Sequence, residues 1–141
     1  METEIIHKKL EQMKVLLAEL ETLLTKPFSA TQSDMINIRA AERDFQLIVE
    51  LASDINTTIL IEKTGETPDS YRSSFSNLSK LGVFEEEVLL QLATSARLRN
   101  ILVHEYDFDE DYKKFYESAK EFIPAYREYI EIILNLISNN L

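Results

Sequence analysis

Arg99, Asn100 and His104 are the residues of this 141-residue chain whose types and spacing could work together on a substrate. A guanidinium grips a phosphate or carboxylate through two parallel hydrogen bonds and steadies charge developing on its oxygens. An imidazole titrates near neutral pH and can give or take a proton there. Spacing alone is weak support for a site. At ~100° per residue, Arg99 and His104 lie ~140° apart on an ideal helix, so one isolated helix does not bring them together. A site shared by two facing helices would solve that geometry. The plainer arrangement pairs Arg99 with a core carboxylate, for which Glu42 is a candidate, and ties Asn100 to a neighbouring backbone group.

The element that must carry these residues reads as a helix from about Glu85 to Tyr106. Glu85, Glu86 and Glu87 suit its positive N-terminal end. On its wheel Leu89, Leu92, Ala93, Ala96 and Val103 form an apolar stripe with Asn100 in the middle. Leu98, Ile101 and Leu102 fall on the opposite side. The end of the helix is thus apolar almost all round, which predicts burial from more than one direction, by the bundle and by a second subunit.

Four other segments show helical periodicity. From about Glu4 to Lys26, Ile6, Leu10, Met13, Leu17, Leu20 and Leu24 follow a heptad seam that Pro27 ends. A second helix starts near Thr31 or Ser33 as N-cap and runs to about Lys63, with Ile38, Phe45, Val49, Ala52 and Ile59 inward. A short one spans about Asp69 to Leu81, with Tyr71, Phe75 and Leu78 on one side and Gly82 as its left-handed stop. The last runs from about Asp109 to Ser138. Tyr112, Phe115, Ala119, Phe122, Tyr126, Tyr129, Ile133 and Leu136 define its inner face, and Pro124 should kink or break it. Nothing alternates with period two. The expectation is an all-α, up-and-down bundle of four to five helices, a single domain over 1–141.

Composition narrows the function classes. Hydrophobic residues make up 45% of the chain and there is no cysteine, so the chain folds without disulfides or thiolate-held metals and a reducing cytoplasm is its natural setting. The N-terminus lacks a signal-peptide pattern, and no apolar run reaches the ~20 residues that span a bilayer. A net charge of −10 argues against non-specific binding to long duplex DNA, while leaving room for a phosphate site built from a few local cations.

The segment Arg99-Asn100-Ile101-Leu102-Val103-His104-Glu105-Tyr106 resembles the Arg-x4-His-x-Tyr motif of HepT-like proteins of the HEPN superfamily. IRAAERDFQLIVELASDI at 38–55 is similar to the family's second helix, and TPDSYRSSFSNLSKLGVF at 67–84 to its proline loop, short helix and glycine turn. The resemblance covers roughly residues 36 to 137. One departure is Arg97, where the family often has glycine or another small residue.

The resemblance implies a HEPN-like bundle that dimerises with its motif helices facing one another. It implies a toxin that is an endoribonuclease, cleaving RNA without a metal or other cofactor, with Arg99 and His104 catalytic and Asn100 supporting them. RNA supplies its own nucleophile, the 2′-OH, so transesterification through a 2′,3′-cyclic phosphate is the expected reaction. The resemblance also implies a partner, a minimal nucleotidyltransferase antitoxin of the MntA type, which silences the nuclease by transferring AMP to Tyr106. Transfer RNA is an attractive target for a toxin, although no residue here reads a base. A second reading is a non-catalytic helical module that binds a nucleotidyltransferase and a nucleotide; the intact Arg-x4-His pair favours the enzyme.

Other features carry less. Glu105, Asp107, Asp109, Glu110 and Asp111 could suggest a metal loop, but they lack the glycine of an EF-hand, and Asp107 or Asp109 is more simply the N-cap of the last helix. Arg39 and Arg43, one turn apart, either extend a phosphate-binding surface or lie on a solvated face. Arg97 either adds a phosphate contact or is incidental. His7 sits on the polar side of the first seam.

Overall fold

Heptad and helical stripes become five helices, described in a computed structural model over residues 3–26, 34–105 and 108–139; the side chains of 105 and 108–112 are not described. Helix α1 spans Thr3–Leu23, α2 Met35–Thr64, α3 Tyr71–Ser76, α4 Glu86–Asn100 and α5 Phe108–Asn139. A 3-10 turn, Asn77–Leu81, extends α3, and a π turn, Ile101–Glu105, extends α4. No strand occurs among the described residues. The architecture is the expected all-α up-and-down bundle.

The seam of α1 is buried at all six expected positions, from Ile6 to Leu24. It packs chiefly along α2, whose Ile38, Phe45, Val49, Ala52 and Ile59 are likewise buried. Helix α5 closes the bundle with Phe115, Ala119, Phe122, Tyr126, Tyr129 and Ile133 inward. Phe115 meets Phe45 edge to face at 5.6 Å. Each such large apolar side chain contributes roughly 1.5–3 kcal/mol on full burial. At the surface Arg127 of α5 forks onto Glu21 of α1 with two 2.9 Å hydrogen bonds.

Polar atoms inside this core fix its register. The Tyr129 hydroxyl donates to Asn56 Oδ1 at 2.6 Å, and Ser95 shares a 2.6 Å hydrogen bond with the Tyr126 hydroxyl. Burial raises both phenols' pKa. Asp44 of α2 is 6% exposed, and burial, reinforced by the hydrogen bond and charge of Glu19 on α1, pushes its carboxyl up to about 7.

Three boundaries differ from the sequence expectation. The start expected for α2 at Thr31 or Ser33 lies outside the described residues; the described helix begins at Met35, with Asp34 accepting the Asn37 N–H at 3.1 Å. Helix α3 starts at Tyr71 because Ser70 takes the cap and forms a reciprocal capping box with Ser73. It stops, as expected, where Gly82 turns left-handed at φ 70°. Pro124 does not break α5, which runs through it without interruption. Pro124 is on the exposed side, as is Lys120 four residues earlier, whose carbonyl loses its helical partner. Water can serve that carbonyl, while buried Phe122, Ile123, Ala125 and Tyr126 hold both halves of the helix to the core.

Candidate active site

The site is built where the winding of the motif helix changes. Helix α4 is regular through Asn100 and then widens into the π turn Ile101–Glu105. Bonding from i to i+5 turns the chain less per residue than bonding from i to i+4. The ~140° that an ideal helix would put between Arg99 and His104 is therefore reduced. Both residues, with Asn100, line one open groove of about 530 Å³ within a single chain. Two facing helices are not needed to bring them together. The same widening carries Val103 out of the buried stripe, to 39% exposure, while Leu89, Leu92, Ala93 and Ala96 stay buried as expected.

The far wall of the groove comes from α2 and the loop before α3. Helix α2 supplies Ser53, Asp54 and Thr57, and the loop supplies Pro68, Asp69 and Ser70. Several of these are committed elsewhere. Ser53 shares a buried 2.9 Å hydrogen bond with Ser74, Asp54 pairs with Lys9 at 3.4 Å, and Asp69 accepts from Ser73.

Arg99 is held from three directions and is only 9% exposed. Its guanidinium carbon lies 4.1 Å from the centre of the Tyr71 ring, a cation–π contact. Nη1 donates to Asn100 Oδ1 at 3.1 Å, and Nη2 reaches Glu50 Oε2 at 3.4 Å. Nε is buried with no hydrogen-bond partner. Glu50, not Glu42, is thus the carboxylate of Arg99. Glu42 sits two helical turns earlier on α2 and is taken by Arg39 at 2.9 Å. Asn100 is likewise tied to a side chain rather than to the backbone group expected. Tyr71, expected only to share one side of the short helix with Phe75 and Leu78, is the platform under the guanidinium. Its signal in the sequence was an aromatic directly after the helix cap, which spacing alone does not assign to an arginine 28 residues on.

His104 is exposed in the same groove. An immobilised cation and an accessible imidazole are the two groups that holding a phosphate and moving a proton beside it require. Tyr106 lies outside the described residues, as does Asp107. The side chains of Glu105, Asp109, Glu110 and Asp111 are also outside them. Among the described residues no cluster of His, Asp or Glu could hold a metal ion, and no helix is long and apolar enough to cross a membrane.

The other arginines do not join this groove. Arg43 is exposed on α2, and Arg39 is engaged by Glu42. Arg97 lines a separate groove between α4 and α5, together with Leu98, Ile101 and Leu102. Those apolar residues, expected to face a second subunit, are partly buried, and Leu98 and Leu102 pack against the core of their own chain.

A family model for ribonuclease HepT-like proteins matches residues 6–133. The tRNA nuclease HepT of Aphanizomenon flos-aquae (strain 2012/KM1/D3) is 37% identical over 93 residues, 65% of this chain and 62% of that protein. The match therefore spans less than two thirds of the relative's length. Among solved structures, a mutant MntA–HpeT toxin–antitoxin crystal structure superposes with a TM-score of 0.82 at 20% identity, covering 94% of this chain and 98% of the other. The tri-AMPylated HEPN toxin of Shewanella oneidensis, in complex with an MNT antitoxin, gives 0.78 at 20% identity over 93% and 97% of the two chains. At that identity these two show a common fold.

Proposed function

The chain belongs to the HepT-like ribonuclease family, and from that membership we propose that it is a toxin of a toxin–antitoxin pair, a metal-independent endoribonuclease acting in the cytoplasm. The observation that carries the proposal is the convergence of Arg99, Asn100 and His104 on one groove. In the proposed reaction the RNA 2′-oxygen attacks the adjacent phosphorus and its proton passes to a general base. The bond from phosphorus to the 5′-oxygen breaks, and a general acid protonates that leaving oxygen. The products are a 2′,3′-cyclic phosphate and a 5′-hydroxyl. Arg99 holds the phosphate and offsets the charge that builds on its oxygens. His104 supplies the proton transfers.

One groove offers one imidazole, while the reaction uses a base and an acid. A homodimer that sets two such grooves together would provide both. Val103, exposed next to His104, is the apolar contact that a two-fold partner would cover. The proposed antitoxin is a minimal nucleotidyltransferase that adds AMP to Tyr106. The AMP phosphate carries a negative charge that competes with RNA for the Arg99 guanidinium. The partners named in the neighbouring complexes support this control, and the name of the Aphanizomenon relative supports transfer RNA as substrate.

The test is cleavage of RNA by the purified protein in EDTA, with the new ends analysed. Cyclic phosphate and 5′-hydroxyl ends are expected. Cleavage that requires added metal and leaves 5′-phosphates would overturn the mechanism.

A further inference from the structure

The groove on the other side of the motif helix has a chemistry of its own. It is about 240 Å³ in volume and lies between α4 and α5, walled by Leu98, Ile101, Leu102 and Phe122. Two cations line it, Arg97 from α4 and Lys114 from α5. Both are exposed. Elsewhere on this acidic chain, Lys9, Lys14, Arg39, Lys80 and Arg127 each have a carboxylate partner. Arg97 and Lys114 have none among the described residues; Lys8, Arg43, Lys63, Arg72 and Lys120 also lack one, but Arg97 and Lys114 line one groove together. In a protein with 25 acidic residues against 15 lysines and arginines, two cations without a carboxylate partner that line the same groove suit an outside anion. The apolar wall beside them suits an anion attached to a flat apolar body.

Resting on the ribonuclease reading, we propose that this groove is a second RNA subsite: Arg97 and Lys114 hold a phosphate of a nucleotide flanking the scissile one, whose base or sugar lies against Leu98, Leu102 and Phe122. The Arg99–His104 groove and this one flank the same helix, so roughly one helix width, ~10–12 Å, separates them. A single strand crossing the end of the helix reaches both. Nothing here reads base edges. The subsite adds affinity and sets the shortest RNA that binds well, without adding sequence preference.

The test compares the full-length parent with the Arg97→Ala/Lys114→Ala variant, using a short fluorescently labelled single-stranded RNA. The variant should bind about tenfold more weakly, and its slope of log affinity against log salt should be shallower by about one. A dinucleoside monophosphate has no flanking phosphate and should be turned over equally by both proteins, while KM for the longer RNA rises and its kcat holds. If the parent cleaves nothing, the ribonuclease reading fails, yet the binding arm still decides whether this groove holds RNA. Arg97→Lys/Lys114→Arg should restore binding. Unchanged affinity and salt slope in the alanine variant would overturn the proposal. So would a fall in its sedimentation mass relative to the parent, which would make the groove an interface between copies of the chain.

Discussion

At the scale of single residues, the arginine is useful because its freedom has been removed. Tyr71 lies beneath Arg99, while Asn100 and Glu50 take its terminal nitrogens. A guanidinium fixed before substrate arrives loses little entropy on gripping a phosphate. Tyr71→Phe keeps the ring and should cleave RNA within about threefold of the parent. Tyr71→Leu removes a cation–π contact worth roughly 0.5–2 kcal/mol and should lower kcat/KM by about 2- to 30-fold. Equal activity in Phe and Leu variants would deny the ring its part. Asp44 makes a second prediction. Its folded carboxyl is held at about 7 against an ordinary 3.8, so the folded state binds that proton more tightly than the unfolded state does. Stability therefore falls as pH rises between those values. Asp44→Asn should raise the urea midpoint at pH 8 and give a much smaller gain near pH 4. A gain that is the same at both would show that Asp44 titrates normally.

At the scale of elements, the π turn of 101–105 is what a reading of periodicity misses. Apolar stripes locate helices because burial repeats with the winding, and the seams of α1, α2 and α5 were legible for that reason. A local change of winding leaves no such trace. Val103 fits the regular wheel, yet it is exposed, and the angle between Arg99 and His104 read from the same wheel pointed to a site that needed two helices. Glu50 was hidden for a related reason. Glu42 and Glu50 are acids on one helix, and which of them meets Arg99 depends on how α2 and α4 cross. Arg99, Asn100 and His104 were still identifiable, because their types and order carry the family motif. The π turn is open to a direct test. Deleting Val103 shortens the turn by one residue and favours regular winding. On a regular helix the histidine then stands four residues after Arg99, ~40° away around the axis, so the variant should keep its helical circular dichroism and cleave within about tenfold of the parent. A folded deletion variant that has lost 100-fold or more in cleavage rate would show that the π turn is not what brings His104 to Arg99.

At the scale of the whole molecule, an acidic protein is proposed to bind a polyanion. It does so by placing a few cations locally on a surface that otherwise repels RNA. Such a surface favours short contacts at defined grooves over coating of long duplexes. If the proposed dimer gathers two grooves, light scattering at micromolar concentration should show twice the 16.4 kDa chain mass. A strictly monomeric and fully active protein would remove the shared site. The account as a whole rests on Arg99 and His104 doing chemistry rather than holding the fold. The most direct measurement is therefore single-turnover cleavage of RNA in EDTA by the parent, by His104→Ala and by Arg99→Ala, each checked for helical content. The account predicts that the parent cleaves and both variants are inactive, with His104→Ala as helical as the parent because its side chain is exposed. Cleavage by a folded His104→Ala protein at a rate near the parent's would contradict it.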